Sequence, residues 1–273
     1  MIPAPFEYVR AGTAEEAIAL LTEHGEDAKL LAGGHSLLPL MKLRLATPSV
    51  LIDVGRIRTL SYIEERDGGE IAIGALTRHR ELETSALLRE HVPLLAHTAH
   101  QVGDPQVRHR GTFGGTLAHG DPASDLPAAA LALGATLVVE GPAGRRTIPA
   151  TDFFVSFLET ALAPDEMLVE IRVPKVTGAG WSFQKFNRRA QDWAIVGVAA
   201  VLGATPGVAL VNMGSTPIRA GAVEAALARG AGPADAAEHA ADEAEPPSDT
   251  NASSEYRRAL ATVLVRRALE EAR

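Results

Sequence analysis

The stretches Ala32-Gly33-Gly34-His35-Ser36 and Gly111-Thr112-Phe113-Gly114-Gly115-Thr116 decide how this chain is read. Consecutive glycines admit positive φ and let backbone N–H groups converge on one concavity. Such concavities bind anions, phosphate above all. Ser36, Thr112 and Thr116 add hydroxyl donors, so two such segments can clamp a diphosphate from two sides. A Gly-Gly pair also occurs as a plain turn, and both readings stand at this point. Neither segment is a Walker P-loop, and no Rossmann G-x-G-x-x-G is found.

Working outward, Thr13-Ala-Glu-Glu16 has capping-box spacing and predicts a helix over 14–24, stopped at Gly25. Ala28–Ala32 reads as a strand entering the first glycine pair. Val50–Val54 reads as a strand buried on both faces. Ile71–Gly74 is a further strand, and 77–102 reads as helical with a break near Pro93. The stretch 103–116 reads as one long Gly-rich loop. A helix over 125–133 follows, then strands at 136–140, 146–148 and 167–173. The last third reads as strands at 182–187, 194–202 and 208–212, with helices at 221–228 and 255–270. Gly230–Ser254 has almost no bulky hydrophobes and is expected to be a poorly packed or mobile connector.

The chain has 273 residues, and 26 Lys+Arg against 34 Asp+Glu give a formal net charge of −8. That balance argues against a general nucleic-acid coat. It also poses a question for a phosphate binder, which backbone dipoles answer without basic side chains. With no Cys, the chain holds no disulfide, no thiolate-bound iron–sulfur cluster and no thiol nucleophile. The start, MIPAPFEYVRAGT, lacks a secretory pattern, and no apolar stretch reaches membrane-span length, so a cytoplasmic location is expected.

Further motifs join the glycine segments in order: Leu37-Leu-Pro39, Leu117-Ala-His-Gly-Asp-Pro-Ala-Ser-Asp125, Pro149-Ala-Thr-Asp-Phe-Phe154, Glu170-Ile-Arg-Val-Pro174, Lys185-Phe-Asn-Arg-Arg-Ala-Gln-Asp-Trp-Ala194 and Asn212-Met-Gly-Ser-Thr-Pro217. Over nearly the whole chain this set resembles the FAD-binding (medium) subunit of molybdenum hydroxylases, nearest to that of aerobic carbon monoxide dehydrogenases. The resemblance implies an α+β chain with a PCMH-type FAD-binding fold. Two small α/β subdomains, over 1–56 and 57–175, would precede a C-terminal sheet-and-helix domain over 176–273. It implies non-covalent FAD, with the diphosphate and ribityl at Ala32, Gly33, Gly34, His35, Ser36, Gly111, Thr112, Gly114, Gly115 and Thr116. Asp125 would hydrogen-bond a hydroxyl of the cofactor. Leu162 and Met167 would pack near the ring system or adenosine, and Lys185 would lie near the flavin edge. Molybdopterin and [2Fe–2S] clusters would reside only in partner subunits, a large and a small one, in a dimer of heterotrimers. The task would be electron relay from the clusters through FAD to a quinone, oxygen or NAD. Where many relatives carry Gln or Asn, Ile and Ala, this chain has His35, Phe113 and Gly120.

Other residues are open to two readings. Trp193 covers a flavin face or belongs to the core. Lys185, Arg188 and Arg189 form a basic cluster that either stabilises a reduced, anionic flavin or is a solvated face. His91, His97 and His100 are conceivable metal ligands because helical neighbours share a face, but no carboxylate cluster completes a site and they read as partly solvated helix histidines. His119 and Asp121 read as shaping the second loop, with acid–base work as the alternative. The run from Arg257-Arg258 to Arg266-Arg267 reads as an ordinary amphipathic helix surface, open to subunit contact. Alternative functions are a free-standing FAD-dependent oxidoreductase of the same fold, a non-catalytic nucleotide-binding module, and an assembly subunit without cofactor.

Overall fold

A computed structural model describes residues 2–273 and places three larger sheets in chain order, with a two-stranded hairpin besides. The first is parallel and built from β1 (Glu7–Arg10), α1 (Ala14–His24), β2 (Ala28–Leu31), α2 (Leu37–Leu43) and β3 (Val50–Asp53), in strand order β1-β3-β2. β3 is central, which is why Val50–Ile52 are continuously apolar and buried. The Thr13 hydroxyl accepts from the N–H of Glu16 at 3.1 Å, and the Glu16 carboxylate reaches back to the N–H of Gly12 at 2.7 Å. That closes the start of α1 one residue wider than a strict capping box. Gly25, at φ 55°, ends the helix where expected.

The second unit contains β4 (Ile63–Arg66), β5 (Glu70–Gly74), α3 (His79–Thr84), α4 (Ala86–His91), α5 (Pro93–His100), α6 (Pro105–Arg110), α7 (Phe113–His119) and α8 (Asp125–Ala132). It continues with β6 (Thr136–Gly141), β7 (Gly144–Pro149), α9 (Ala150–Phe153), β8 (Phe154–Ser156), β9 (Glu159–Thr160) and β10 (Met167–Pro174). Its five-stranded antiparallel sheet runs β4-β5-β10-β6-β7, while β8 and β9 form a separate hairpin.

The third unit is β11 (Gly180–Phe186), β12 (Val196–Leu202), β13 (Gly207–Val211), β14 (Ile218–Arg219), α10 (Gly221–Ala228), α11 (Pro233–Ala237) and α12 (Ser254–Glu271), with an antiparallel sheet in chain order. Alternate residues of this sheet enter different cores. Ala199, Val201, Ala209 and Val211 join the cluster around α5 and α8; Val196, Val198, Ala200, Val208 and Leu210 join the cluster around α10–α12. Both faces are covered, so Val196–Leu202 reads as an unbroken apolar run in an antiparallel strand. α8 lies between the second and third sheets and is buried at every position.

Three expectations change. The 103–116 stretch is two short helices rather than a loop. Asp104 caps α6, its carboxylate accepting from the N–H of Val107 at 2.9 Å, and Thr112 caps α7. Glycine content hides these caps. Second, 230–254 is packed: Ala236, Ala237, Ala240 and Ala244 are all buried against α10 and α12. Small side chains there allow close approach instead of loosening the contact. Third, Arg257 is not a surface residue; it is fully buried.

The fit of α8 against the third sheet is tight at one point. A Cβ on Gly207 would stand 1.9 Å from the carbonyl oxygen of Ala132 at the end of α8. Gly207→Ala is therefore expected to cost at least about 1–3 kcal/mol, the penalty of overpacking a closed interior. Urea unfolding followed by circular dichroism measures it, and an unchanged midpoint would contradict this packing.

Candidate functional site

β2 delivers Ala32 to the first glycine segment, where Gly34 takes φ 79° and starts the turn into α2. Among the described residues, the N–H groups of Gly33, Gly34, His35, Ser36 and Leu37 have no protein acceptor. They form an open row of donors at one end of the site.

The second segment is built differently. The N–H of Phe113 donates to the carbonyl of Thr77 at 2.9 Å, that of Gly114 to Ala75 at 2.8 Å, and that of Gly115 to the Thr112 hydroxyl at 3.2 Å. The N–H of Thr116 donates to the carbonyl of Thr112 at 3.0 Å. These amides are spent holding the segment against residues 75–79, so the picture of two equivalent backbone nests gives way to one open nest and one rigid wall. Glycine is needed in the wall for approach rather than for φ: a Cβ on Gly114 would stand 2.5 Å from that of Ala75. The two segments also touch directly, because a Cβ on Gly33 would stand 2.3 Å from the carbonyl oxygen of Arg110.

His79, not singled out in the sequence, holds this wall. Its Nε2 lies 3.1 Å from the carbonyl of Thr112 and 2.9 Å from the Thr116 hydroxyl, and its ring packs on Gly111. Burial pulls its pKa down to about 4, so the ring is neutral at physiological pH. Nothing in the local sequence marks it, since its partners are more than thirty residues away.

Opposite the glycines, Asp125 opens α8 and Lys185 lies on β11. The Lys185 ammonium donates to Asp125 Oδ2 at 2.6 Å and to the carbonyl of Gln101 at 3.1 Å. Both side chains are buried. Burial pushes the Asp125 carboxyl up to about 6, against the pull of Lys185. Asp125 Oδ1 is buried and has no hydrogen-bond partner. A buried, unpaired carboxylate oxygen is costly, and a hydroxyl or N–H from a ligand would satisfy it.

The fifteen residues that the resemblance and the Trp193 reading put at the cofactor line a single cavity of about 970 Å³. Ala32–Ser36, Gly111, Thr112 and Gly114–Thr116 form one wall, and Asp125, Lys185 and Trp193 another; Leu162 and Met167 complete the lining. The cavity extends to Leu21, Gly25 and Glu26 at the end of α1. The hairpin residues Leu158–Thr160 and the loop residues Gln191 and Asp192 also line it, beyond the sequence reading. Trp193 is 58% exposed, so it is not core. Arg188 and Arg189 are exposed while Lys185 is buried and paired, so these three do not form one cluster. His119 is half-buried on the lining, and burial lowers its pKa. His97 packs its ring 5.3 Å from that of Trp181, His91 meets the Thr177 hydroxyl at 2.9 Å, and His100 bonds Glu83 at 2.8 Å. Among the described residues no His, Asp and Glu cluster could hold a metal ion.

The geometry suits an elongated ligand with an anionic middle and a hydroxyl-bearing segment. The family model described as the FAD binding domain in molybdopterin dehydrogenase matches residues 4–176, and that of the CO dehydrogenase flavoprotein C-terminal domain matches 181–272. The carbon monoxide dehydrogenase medium chain of Hydrogenophaga pseudoflava is 45% identical, covering 100% of this chain and 98% of its own. The 6-hydroxypseudooxynicotine dehydrogenase complex subunit alpha of Paenarthrobacter nicotinovorans is 38% identical, covering 100% of this chain and 96% of its own. A solved carbon monoxide dehydrogenase from Hydrogenophaga pseudoflava, which lacks the Mo-pyranopterin moiety of the molybdenum cofactor, superposes with a TM-score of 0.94 at 45% identity over 100% of this chain and 98% of that one.

His79 generates a pH test. Its folded pKa of about 4 lies below the ordinary histidine value of 6.5, so the unfolded chain binds more protons between these values. Stability is then lost as pH falls from 6.5 towards 4. His79→Gln is expected to flatten this slope by up to about 1.4 kcal/mol per pH unit in that window. Parallel urea titrations across the window measure it, and identical slopes would contradict a buried neutral His79.

Proposed function

The chain belongs to the family of FAD-binding medium subunits of molybdenum hydroxylases, and on that premise we propose how its own residues serve as the FAD-carrying, electron-transferring subunit. The observation that carries the residue assignment is the fit of the cavity to the cofactor. It combines an open row of amides over Gly33–Leu37, a partnerless buried Asp125 Oδ1 and enough volume for a dinucleotide.

FAD, when bound, takes up and releases electrons singly or in pairs, which is the chemistry of a relay between one-electron centres and a two-electron acceptor. The protein's part is binding, orientation and electrostatics. The amides of Gly33, Gly34, His35, Ser36 and Leu37 receive the diphosphate, with help from the Ser36 and Thr116 hydroxyls. The wall of Gly111, Thr112, Gly114 and Gly115 fixes its path. Asp125 Oδ1 accepts from a cofactor hydroxyl. Lys185, held by Asp125 and the carbonyl of Gln101, keeps a positive charge in the cavity wall, which favours an electron-rich ring beside it. Leu162, Met167 and Trp193 supply apolar contact. No side chain is required to form a covalent flavin link, and His35 serves through its amide.

Residues 1–56 and 57–175 would act as the two halves of the FAD-binding region and 176–273 as the domain that closes it. The medium subunits of this family work in multi-subunit complexes. For this chain the partners would be an iron–sulfur small subunit and a molybdopterin large subunit, in a cytoplasmic dimer of heterotrimers, with a quinone, oxygen or NAD as final acceptor. No helix among the described residues is long and apolar enough to cross a membrane. Relatives named for substrates as different as carbon monoxide and 6-hydroxypseudooxynicotine match this chain over its whole length. Substrate choice would therefore lie with the molybdenum subunit.

Reconstituted with FAD, the full chain is expected to turn yellow, to release all its flavin on denaturation, and to oxidise no organic substrate alone. Asp125→Asn is expected to weaken FAD binding about 10- to 100-fold, the worth of a hydrogen bond to a charged group. Equilibrium titration measures this. A colourless wild-type chain, or a folded variant with unchanged affinity, would overturn the assignment.

A further inference from the structure

Arg257, on α12, is the largest fully buried side chain among the described residues, yet it does not touch the cavity. Its Nη1 donates to the carbonyl of Ile195, and its Nη2 donates to Asp249 Oδ2 at 2.7 Å; its Nε is buried without a partner. Burying a guanidinium is costly, so its position is informative. α12 packs on β11 and β12 from the side opposite α8, the helix that carries Asp125. Ile195 ends the 187–195 segment joining β11 to β12, and this segment carries the cavity residues Gln191, Asp192 and Trp193.

The return leg of that segment is gripped at two consecutive carbonyls. Asn212 Nδ2 donates to the carbonyl of Ala194 at 2.8 Å, and Arg257 takes the next one. Asn212, at φ 61°, also donates its backbone N–H to the carbonyl of Pro122 at 2.8 Å, in the loop that leads into Asp125. The N–H of Ile195 closes the base of the segment on the carbonyl of Phe186 at 2.7 Å, next to Lys185. The Trp193 segment and the Asp125 loop therefore share one frame, and Arg257 fixes its rear edge. Asp249 steadies the guanidinium while itself accepting from the N–H groups of Asn251 and Ala252, both through Oδ1.

We infer that Arg257 is a positioning residue of the cofactor cavity: acting through Ile195, it holds the 187–195 segment so that Trp193 faces the bound ring. The inference rests on the cavity being the FAD site. It gives the buried arginine a role that the core around α12 does not require, since an apolar side chain would fill the same space at lower cost.

The test uses the full chain with Trp181→Phe, which leaves Trp193 as the sole indole of the two in the sequence. Bound FAD is expected to quench Trp193 emission strongly when Arg257 is present. Arg257→Met is expected to lose most of that quenching and to weaken FAD binding about fivefold or more, the size of a typical coupling between sites. Arg257→Lys, which can still reach one carbonyl, is expected to restore part of the quenching. Should Arg257→Met fail to fold, Asp249→Asn loosens the guanidinium without emptying its place and is expected to shift both readouts the same way, by less. Folded variants with wild-type quenching and affinity would overturn the inference. A wild-type chain that binds no FAD would sink the cofactor reading alone. Trp193 anisotropy in the cofactor-free chain then decides on Arg257: lower in Arg257→Met if it positions the segment, unchanged if it does not.

Discussion

The carbonyl oxygen of Arg110 lies 2.3 Å from where a Cβ on residue 33 would stand, and its neighbour Gly111 Cα lies 3.1 Å from the same point. Two segments nearly eighty residues apart thus meet backbone to backbone, which only glycine at position 33 permits. This contact fixes the distance between the open amides of 33–37 and the rigid wall of 111–116. The surrounding structure maintains it. The first sheet presents Gly33 at the end of β2, while residues 75–79 hold the wall through main-chain bonds and the His79 ring. A shift of either sheet would open or close the gap between the open amides and the wall.

The second constraint is electrostatic. An acidic chain with no cysteine must hold an anionic cofactor and exchange electrons with centres it cannot itself carry. On the proposed reading, backbone donors would meet the first demand, because they bring partial positive charge without side chains. The buried Asp125–Lys185 pair would meet part of the second. It keeps a cation in the cavity wall, and its spare carboxylate oxygen awaits a donor. Buried pairs contribute little to stability, so this one is better understood as orientation for a ligand. The missing thiols then describe a division of labour among the subunits of a complex.

Much of this was legible in the sequence. Strands buried on both faces announce themselves as continuous apolar runs, as Val50–Ile52 and Val196–Val201 do. The residues that the resemblance implied at the cofactor lie together on one cavity. Other features were hidden for specific physical reasons. The helices at 105–110 and 113–119 are masked by glycine and by caps made from Asp104 and Thr112. The role of the second glycine pair as a wall depends on acceptors at Ala75 and Thr77, which no local pattern reveals. The partners of His79 and Arg257 lie 33 and 62 residues away, so no local pattern marks His79, and Arg257 reads as part of a helix surface. The alanine-rich 230–254 stretch looks unpacked because close helix contact needs small side chains.

The central claim is that one open row of amides, one rigid wall and one buried ion pair together form the FAD site. A crystal structure of the full chain loaded with FAD tests it most directly. The account predicts the diphosphate on the N–H groups of Gly33–Leu37, a cofactor hydroxyl on Asp125 Oδ1, and the ring beside Lys185 and Trp193. A diphosphate bound elsewhere, with those amides and Asp125 Oδ1 facing only solvent, would contradict it.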